Sequence, residues 1–519
     1  ASNKCAGNGG GVFNTGSSNP NFKNCIVYGN TGISAAAIAN SASTPVVSYS
    51  MIEGGFTGTG NISGTPAFIN AVSAASAPTI TGDYHLLDCS AGVDAGDSTL
   101  LPAGTTKDID SIQRVKFYNV DMGAYEAQTS AIYGIATTAG ILYVDKTKSG
   151  NGSSWASALT ELGDALKAAK NNSSISQIWV AKGTYLPKYE GANLGCAASG
   201  VNRDNSFVLV NNVKLFGGFA GGETSVNQRD WVINPTILSG DIGLTSNNTD
   251  NCYHVVVSAG AVGDATLDGF TVTKGNANNV FNNTINNKTI HVNAGGGMYI
   301  TTSSPTINNC IFTSNNAVGG GGMYIDSSAA PIINNSSFLS NTSAAGGGLF
   351  NGLSAPTMIN CVLQGNSSAA LGGGIYNYQA TAPTITNCLI SGNSATNGAG
   401  ILNEGSSPTI VNSTIASNNA SANGGGVYNI GSSSIIINNS IIFNNIAATG
   451  SGLQNQASSA TVSYSTIQGG FAGTGNISTN PSFVNSQLAT AAPTTSGDYR
   501  LSNCSPAINA GDNSLIPGG

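Results

Sequence analysis

The chain has 519 residues, of which 8% are Asp, Glu, Lys or Arg, against about 25% in an ordinary soluble domain. Seventeen basic and 24 acidic side chains give a net charge of -7, which offers no cationic field to nucleic acid or to an anionic membrane. With 40% hydrophobic residues the chain can bury a core, yet no apolar run reaches the roughly eighteen residues of a membrane span.

In chain order, the first feature is a long-range repeat. Ser48-Tyr49-Ser50-Met51-Ile52-Glu53-Gly54-Gly55-Phe56 returns as Ser463-Tyr464-Ser465-Thr466-Ile467-Gln468-Gly469-Gly470-Phe471, and Gly82-Asp83-Tyr84 returns as Gly497-Asp498-Tyr499, both at an offset of 415. The same offset aligns Cys89 with Cys504 and Leu100-Leu101-Pro102 with Leu515-Ile516-Pro517, so residues 1–104 and 416–519 are copies. A sequence that starts and stops inside a repeated unit is expected to be a window on a tandem array of 415-residue modules. On this division residues 1–126 are the C-terminal part of one module and 127–140 a linker.

Residues 141–288 hold most of the charge and lack the short repeat described below. From Trp155 to Lys170, Leu159, Leu162, Leu166 and Ala169 fall on one helical stripe. A solenoid end exposes unpaired strand edges, so this helix is expected to be an N-terminal cap, followed by the first coils.

Residues 289–519 are expected to be regular coils followed by a truncated module end, and the coils repeat every 25 to 27 positions. A small-residue column, Cys310, Ser336, Cys361, Cys388, Ser413, Ser440 and Ser465, is preceded three positions earlier by Ile307, Ile333, Met358, Ile385, Ile410, Ile437 and Val462. Two positions after it stand Phe312, Phe338, Leu363, Ile390, Ile415, Ile442 and Ile467, so alternation turns the small column and these successors inward. Asn309, Asn335, Asn360, Asn387, Asn412 and Asn439 precede the column, and Asn315, Asn341, Asn366, Asn393, Asn418 and Asn445 follow it by five. Each series reads as a turn ladder, because asparagine tolerates left-handed backbone and its amide can bond to the copy above and below. Glycine triplets then lead into a strand whose second residue is expected to face out: Tyr299, Tyr324, Phe350, Tyr376 and Tyr428, with Phe13 in the first copy. Short strands and turns at a fixed period describe a parallel β-solenoid, an all-β fold here carrying one small helical cap.

Tyr143-Val144-Asp145, Gly150-Asn151-Gly152-Ser153-Ser154-Trp155-Ala156 and Ile178-Trp179-Val180-Ala181-Lys182-Gly183-Thr184-Tyr185 resemble the entry of right-handed parallel β-helix proteins of the pectate-lyase-like superfamily. Phe216-Gly217-Gly218-Phe219, Asn227-Gln228-Arg229-Asp230-Trp231 and Leu267-Asp268-Gly269-Phe270 continue the likeness. Cys89 to Asp97, with Val120-Asp121-Met122-Gly123-Ala124-Tyr125-Glu126, is similar to the closing stretch of large, repetitive, adhesin-like bacterial surface proteins of that group, many exported by the type IX route. The resemblance implies a right-handed helix and an extracellular, cell-surface or secreted location.

Lyases and hydrolases of that superfamily need paired carboxylates, a basic residue or bound calcium. From Thr289 to Gly497 there is no Lys or Arg, and the only carboxylates are Asp326 and Glu404. About three coils separate them, roughly 14 Å, beyond the roughly 9.5 Å limit for paired glycosidase acids. No catalytic, cofactor-binding or metal residue is therefore expected. Asp108-x-Asp110 reads as turn acids in preference to a calcium site, Arg203-Asp204 and Arg229-Asp230 as loop-ordering ion pairs, and His85 and His254 as structural. Cys361 and Cys388 read as stacked core residues in preference to a disulfide, and Cys89 and Cys504 keep open a pairing outside this window. The broken row Thr306, Ile332, Thr357, Thr384, Thr409, Ile436 argues against ice binding, and the sequons at Asn61 and Asn476 leave glycosylation open.

The expectation is a non-enzymatic extracellular stalk or filament of tandem β-helix modules on a bacterial surface. Its partners would be neighbouring copies of the module and, through the aromatic column, surface glycans. A carbohydrate-binding or polysaccharide-degrading β-helix is the alternative.

Overall fold

The computed structural model describes every residue except 36, 88–89, 116–118, 128–136, 138, 193–201, 246, 381 and 517–519. Most of the expected linker at 127–140, and Cys89, lie outside the described residues. The chain divides into two units, Ala1–Tyr133 with Ala192–Asn202, and Gly134–Gly191 with Arg203–Gly519.

In the second unit each turn of chain adds one strand to each of several parallel sheets. The first sheet has 11 strands, running from Ile141–Val144 to Ser459–Ser463; the second has 10, from Gly183–Tyr185 to Thr466–Ile467; the third has 9, from Phe207–Val208 to Leu453–Gln456. A fourth sheet of six strands, from Asn276–Ala277 to Asn419–Asn423, lies between the second and the third in chain order. The apolar column is paired in register, Ile307 to Ile333, Met358, Ile385, Ile410, Ile437 and Val462, and is buried throughout. Phe312 stacks on Phe338 with ring centroids 5.0 Å apart, as neighbouring strands at about 4.8 Å require.

The polar columns explain why particular small residues recur. Asn309, Asn335, Asn360, Asn387, Asn412 and Asn439 turn the corner between the first two sheets with φ of 49–54°, a left-handed region that asparagine tolerates. The Cys/Ser column accepts a hydrogen bond from the N–H one coil earlier: Cys310 N–H donates to Ser336 Oγ at 3.1 Å, Cys361 N–H to Cys388 Sγ at 3.4 Å and Ser440 N–H to Ser465 Oγ at 3.0 Å. Either residue serves because the position needs a small acceptor. Cys361 and Cys388 are free thiols.

The second asparagine series forms a continuous buried ladder. Asn341 donates from both its backbone N–H and its Nδ2 to Asn366 Oδ1, each at 3.0 Å, and Nδ2 also donates to the Phe312 carbonyl at 2.9 Å. The pattern repeats down to Asn445, whose N–H donates to Gln468 Oε1 at 2.9 Å. A second ladder, Asn351, Asn377, Asn403, Asn429 and Asn455, runs along the third sheet with Nδ2 to Oδ1 distances of 3.1, 2.8, 2.8 and 2.7 Å.

The helix is shorter than its stripe predicts, Leu162–Asn171. Leu159 instead pairs as extended chain with Val144, and its N–H donates to the Tyr143 carbonyl at 2.9 Å, so sheet pairing overrides the helical spacing. Leu162, Ala165, Leu166 and Ala169 are buried, and the helix lies against the first strands of the first and third sheets.

The 415-residue copies fold alike. Antiparallel hairpins Phe68–Asn70/Asp83–Leu86 and Phe483–Asn485/Asp498–Leu501 correspond. Asn24 clasps Asp97, with Nδ2 to the carbonyl at 2.9 Å, as Asn439 clasps Asp512 at 2.9 Å.

Candidate functional site

Tyr299, Tyr324, Phe350, Tyr376, Leu402 and Tyr428 stand in register on the outer surface of the third sheet. Centroids are 5.2 Å apart for Tyr299 and Tyr324 and 4.8 Å for Tyr324 and Phe350, both stacked, and 4.7 Å for Phe350 and Tyr376, edge to face. Phe13 belongs to the first unit, opposite Ala39 in a two-stranded sheet of that unit.

For Tyr299, Tyr376 and Tyr428 the expectation that the ring faces solvent is corrected, whereas Phe13 is exposed. Tyr299 is 0% exposed and Tyr376 and Tyr428 are each 5% exposed. Ala345 and Leu371 of the fourth sheet pack over Phe350, Tyr376, Leu402 and Tyr428, while Ile285 and Ile290 of a hairpin, Asn282–Ile285/Lys288–His291, pack over Tyr299. Alternation places the column outside the central core, and the chain then folds back across it. The fourth-sheet register column containing Ala345 and Leu371 continues as Gly319 on one side and as Asn397 and Asn423 on the other, so the apolar cover is not announced by an unbroken apolar column.

The two isolated carboxylates acquire a role here. Tyr299 OH donates to Asp326 Oδ2 at 2.9 Å and Tyr376 OH to Glu404 Oε2 at 2.6 Å, each acid standing one coil on and two residues along. Tyr428 makes the same bond to Gln456. Burial, with these acceptors, pushes the Tyr299 and Tyr376 phenols far above their usual range, and burial pushes Tyr324 up to about 12. Each acid therefore serves one ring, an arrangement that holds a ladder in place.

Charge elsewhere is equally committed. In the first unit His85 lies between Asp83 and Asp110, 2.6 Å from each, and its ring packs on Tyr125 at 4.0 Å. The Asp110 contact raises its proton affinity. Asp108 accepts from the N–H groups of Asp110, Ile112 and Glu126, which uses the Asp-x-Asp pair as turn caps. In the second unit Arg229 pairs with Asp268 at 2.8 Å, not with Asp230, and is sandwiched between Phe216 and Trp231. Arg203 lies 4.1 Å from the Tyr253 ring centroid and donates to the Asn251 and Asn276 carbonyls. His254 is buried against Tyr299, which lowers its proton affinity to about 4, and its Nδ1 is 3.1 Å from the Gly295 carbonyl. The sequon amides are also occupied: Asn61 Nδ2 donates to Val47 O at 2.9 Å and Asn476 Nδ2 to Val462 O at 2.9 Å. Among the described residues no group of three His, Cys, Asp or Glu could hold a metal ion, and no helix is long and apolar enough to cross a membrane.

A cavity of about 770 Å³ in the first unit is lined by Ser2, Gly29 and Val72 among others. In the second copy the equivalent positions are joined: Ser417 Oγ and Asn444 Nδ2 donate to the Gln487 carbonyl at 2.6 and 2.8 Å. The cavity is a loosened form of a structural contact.

Residues 226–415 match the family model described as right handed beta helix region. The second unit is a right-handed parallel β-helix. No curated protein matches the chain. Among solved structures, it is similar to pectate lyase Pel9A at 15% identity and TM-score 0.43, covering 75% of this chain and 96% of that one. A rhamnogalacturonan lyase matches at 12% identity and TM-score 0.40, over 70% and 96%. PfbA, a surface adhesin of Streptococcus pneumoniae, matches at 12% identity and TM-score 0.30, over 59% and 84%.

Proposed function

We propose that this chain is a stretch of a non-enzymatic, extracellular structural or adhesive stalk on a bacterial surface, built of tandem 415-residue β-helix modules whose coils repeat every 25 to 27 residues. The observation that carries the reading is the fate of the polar groups. Asparagine ladders, the Cys/Ser column and the two lone acids are spent on joining one coil to the next. The 415-residue repeat extends the same logic from coil to module. Neighbouring modules are then the principal partners, and no cofactor is needed.

Tyr324, Phe350 and Tyr378 stay partly exposed beside the acids, which favours carbohydrate binding or degradation as the second reading. The size of the native polypeptide tests the first: several modules are expected, and a chain with a single module overturns the tandem claim. Depolymerisation of an acidic polysaccharide, or glycan binding abolished by Tyr324→Ala without loss of folding, would establish the second reading in its place.

A further inference from the structure

The chain between strand Thr236–Ser239 of the second sheet and strand Val256–Ala259 of the third forms a closed loop. Its neck is the Gly240 carbonyl, which accepts hydrogen bonds from the Cys252 and Ile242 N–H groups, each at 2.9 Å. Asp241 and Asn251 are the first residues inside the neck from either side, so the neck brings them together. Within the loop Asp250 Oδ2 accepts from the Leu244 N–H at 2.8 Å and from Asn247 Nδ2 at 3.1 Å, and a Cβ on Gly243 would strike the same oxygen. The Asp250 carboxylate is therefore folded back over the segment from Asp241 to Leu244.

The polar atoms left over are all acceptors. Asp241 Oδ1, Asp250 Oδ1 and Asn251 Oδ1 are buried, and among the described residues no donor reaches any of them. Asn251 is 2% exposed and the Asp241 side chain 10%. The Asn251 amide nitrogen is spent on the Lys274 carbonyl at 2.8 Å, which leaves its oxygen turned the other way. Two basic groups face the loop. Lys274 Nζ takes Asp241 Oδ2 at 2.5 Å, and Arg203 donates to the Asn251 backbone carbonyl at 2.6 Å. Among the described residues no ion pair includes Asp250. Burying acceptors without donors is costly, most of all for carboxylates. A single water has two protons to give, so three such oxygens in one loop call for one cation.

We propose that this loop is a calcium site, with Asp241 Oδ1, Asp250 Oδ1 and Asn251 Oδ1 as its side-chain ligands and loop carbonyls and water completing the six to eight oxygens that calcium takes. An all-oxygen set without His or Cys selects a hard cation. Calcium is favoured over magnesium because an irregular loop offers no rigid octahedron. The site has two carboxylates and an amide, so it falls outside any grouping of three His, Cys, Asp or Glu. That low ligand charge sets a Kd of about 0.1–1 mM, the range of extracellular modules. The ion is structural: it ties the start of the loop to its end, where the chain passes from the second sheet to the third. Neither the tandem reading nor the stalk reading is needed for it.

The test uses the full chain after treatment with a chelator. Calorimetric titration with calcium chloride should show one site with a Kd of about 0.1–1 mM, and magnesium chloride should bind at least tenfold more weakly. Calcium should slow amide exchange at Ile242–Leu244 and Asn247–Asn251 at least fivefold and leave Asn366–Asn393 unchanged. Asp250→Asn, which keeps the shape of the side chain, should weaken calcium binding at least tenfold and abolish the slowing. Lys274→Met removes a competing positive charge from a half-exposed side chain and should tighten calcium binding at least threefold, which keeps the test decisive if Asp250→Asn fails to fold. No saturable binding up to roughly 10 mM calcium, or binding that neither variant alters, overturns the inference. Slowed exchange that calcium does not cause would assign the three oxygens to ordered water and overturn it equally.

Discussion

The coils between Thr289 and Ile467 and the closing segment of the first unit, residues 83–127, both bury polar side chains, and they do so in opposite ways. In the coils the buried groups are neutral amides and hydroxyls. An asparagine side chain is donor and acceptor at once, so one residue per coil satisfies itself by pairing with its own copy, and the column extends without limit. In the closing segment the buried groups are carboxylates, which only accept. Asp121 and Glu126, each 2% exposed, draw on backbone N–H groups of Asp94, Ala127 and Asp121, with Arg114 lying 3.4 Å from Glu126. A carboxylate cannot pair with its own copy one coil on, because like charges at about 5 Å repel. Repetition therefore selects amides for the coils and leaves charge to ends and caps, where a structure is built once.

The most damaging way to break this contrast is to put a carboxylate in the ladder. Asn366→Asp removes the side-chain Nδ2 donor to Asn393 Oδ1 and the Phe338 carbonyl, leaving only the backbone N–H bond to Asn393, and should cost about 5 kcal/mol, read as a fall in the denaturation midpoint with protection lost first around Asn341–Asn393. A tolerated substitution would mean that the ladder is not what holds the coils. Phe338→Ala, which removes the stack on Phe312, should cost about 4 kcal/mol by leaving a cavity, measurable in the same unfolding curve.

The carboxylate side of the comparison predicts pH dependence. Burial raises Asp121 to about 6, and burial with the Asp121 charge raises Glu126 to about 8 despite Arg114. Between about pH 4 and pH 8 the folded segment thus binds more protons than the unfolded chain, and stability falls as pH rises through that window. Hydrogen exchange of residues 91–127 should quicken from pH 5 to pH 9 after correction for intrinsic rates, Glu126→Gln should remove the upper part of the trend, and residues 298–443 should show none. The smallest effect is expected at Tyr376→Phe. It loses one hydrogen bond to Glu404 and should cost about 1 kcal/mol, with the ring stack retained in the near-ultraviolet circular dichroism spectrum.

Much of the coil was legible because stacking makes each inward position a column of one chemistry. The Ile307, Cys310 and Phe312 columns, the left-handed asparagines and the Asn315 ladder can all be read by counting. What was hidden needed the third dimension. The Asn351 ladder is as regular as the Asn315 series, but the two preceding coils place Ile300 and Ile325 in that register, which masks it as an apolar strand position. The cover comes from a hairpin over Tyr299 and, over Phe350 to Tyr428, from a fourth-sheet column that mixes Gly319, Ala345, Leu371 and Asn397, so exposure was misjudged where stacking was not. The bonds from Tyr299 to Asp326 and from Tyr376 to Glu404 span one coil and two residues, a diagonal that no column contains.

Cryo-electron microscopy of the native polypeptide tests the central claim most directly. Unbranched rods whose lengths fall into steps of one module are the result this account predicts. A population of single-module particles, with no longer species at any concentration, would contradict it.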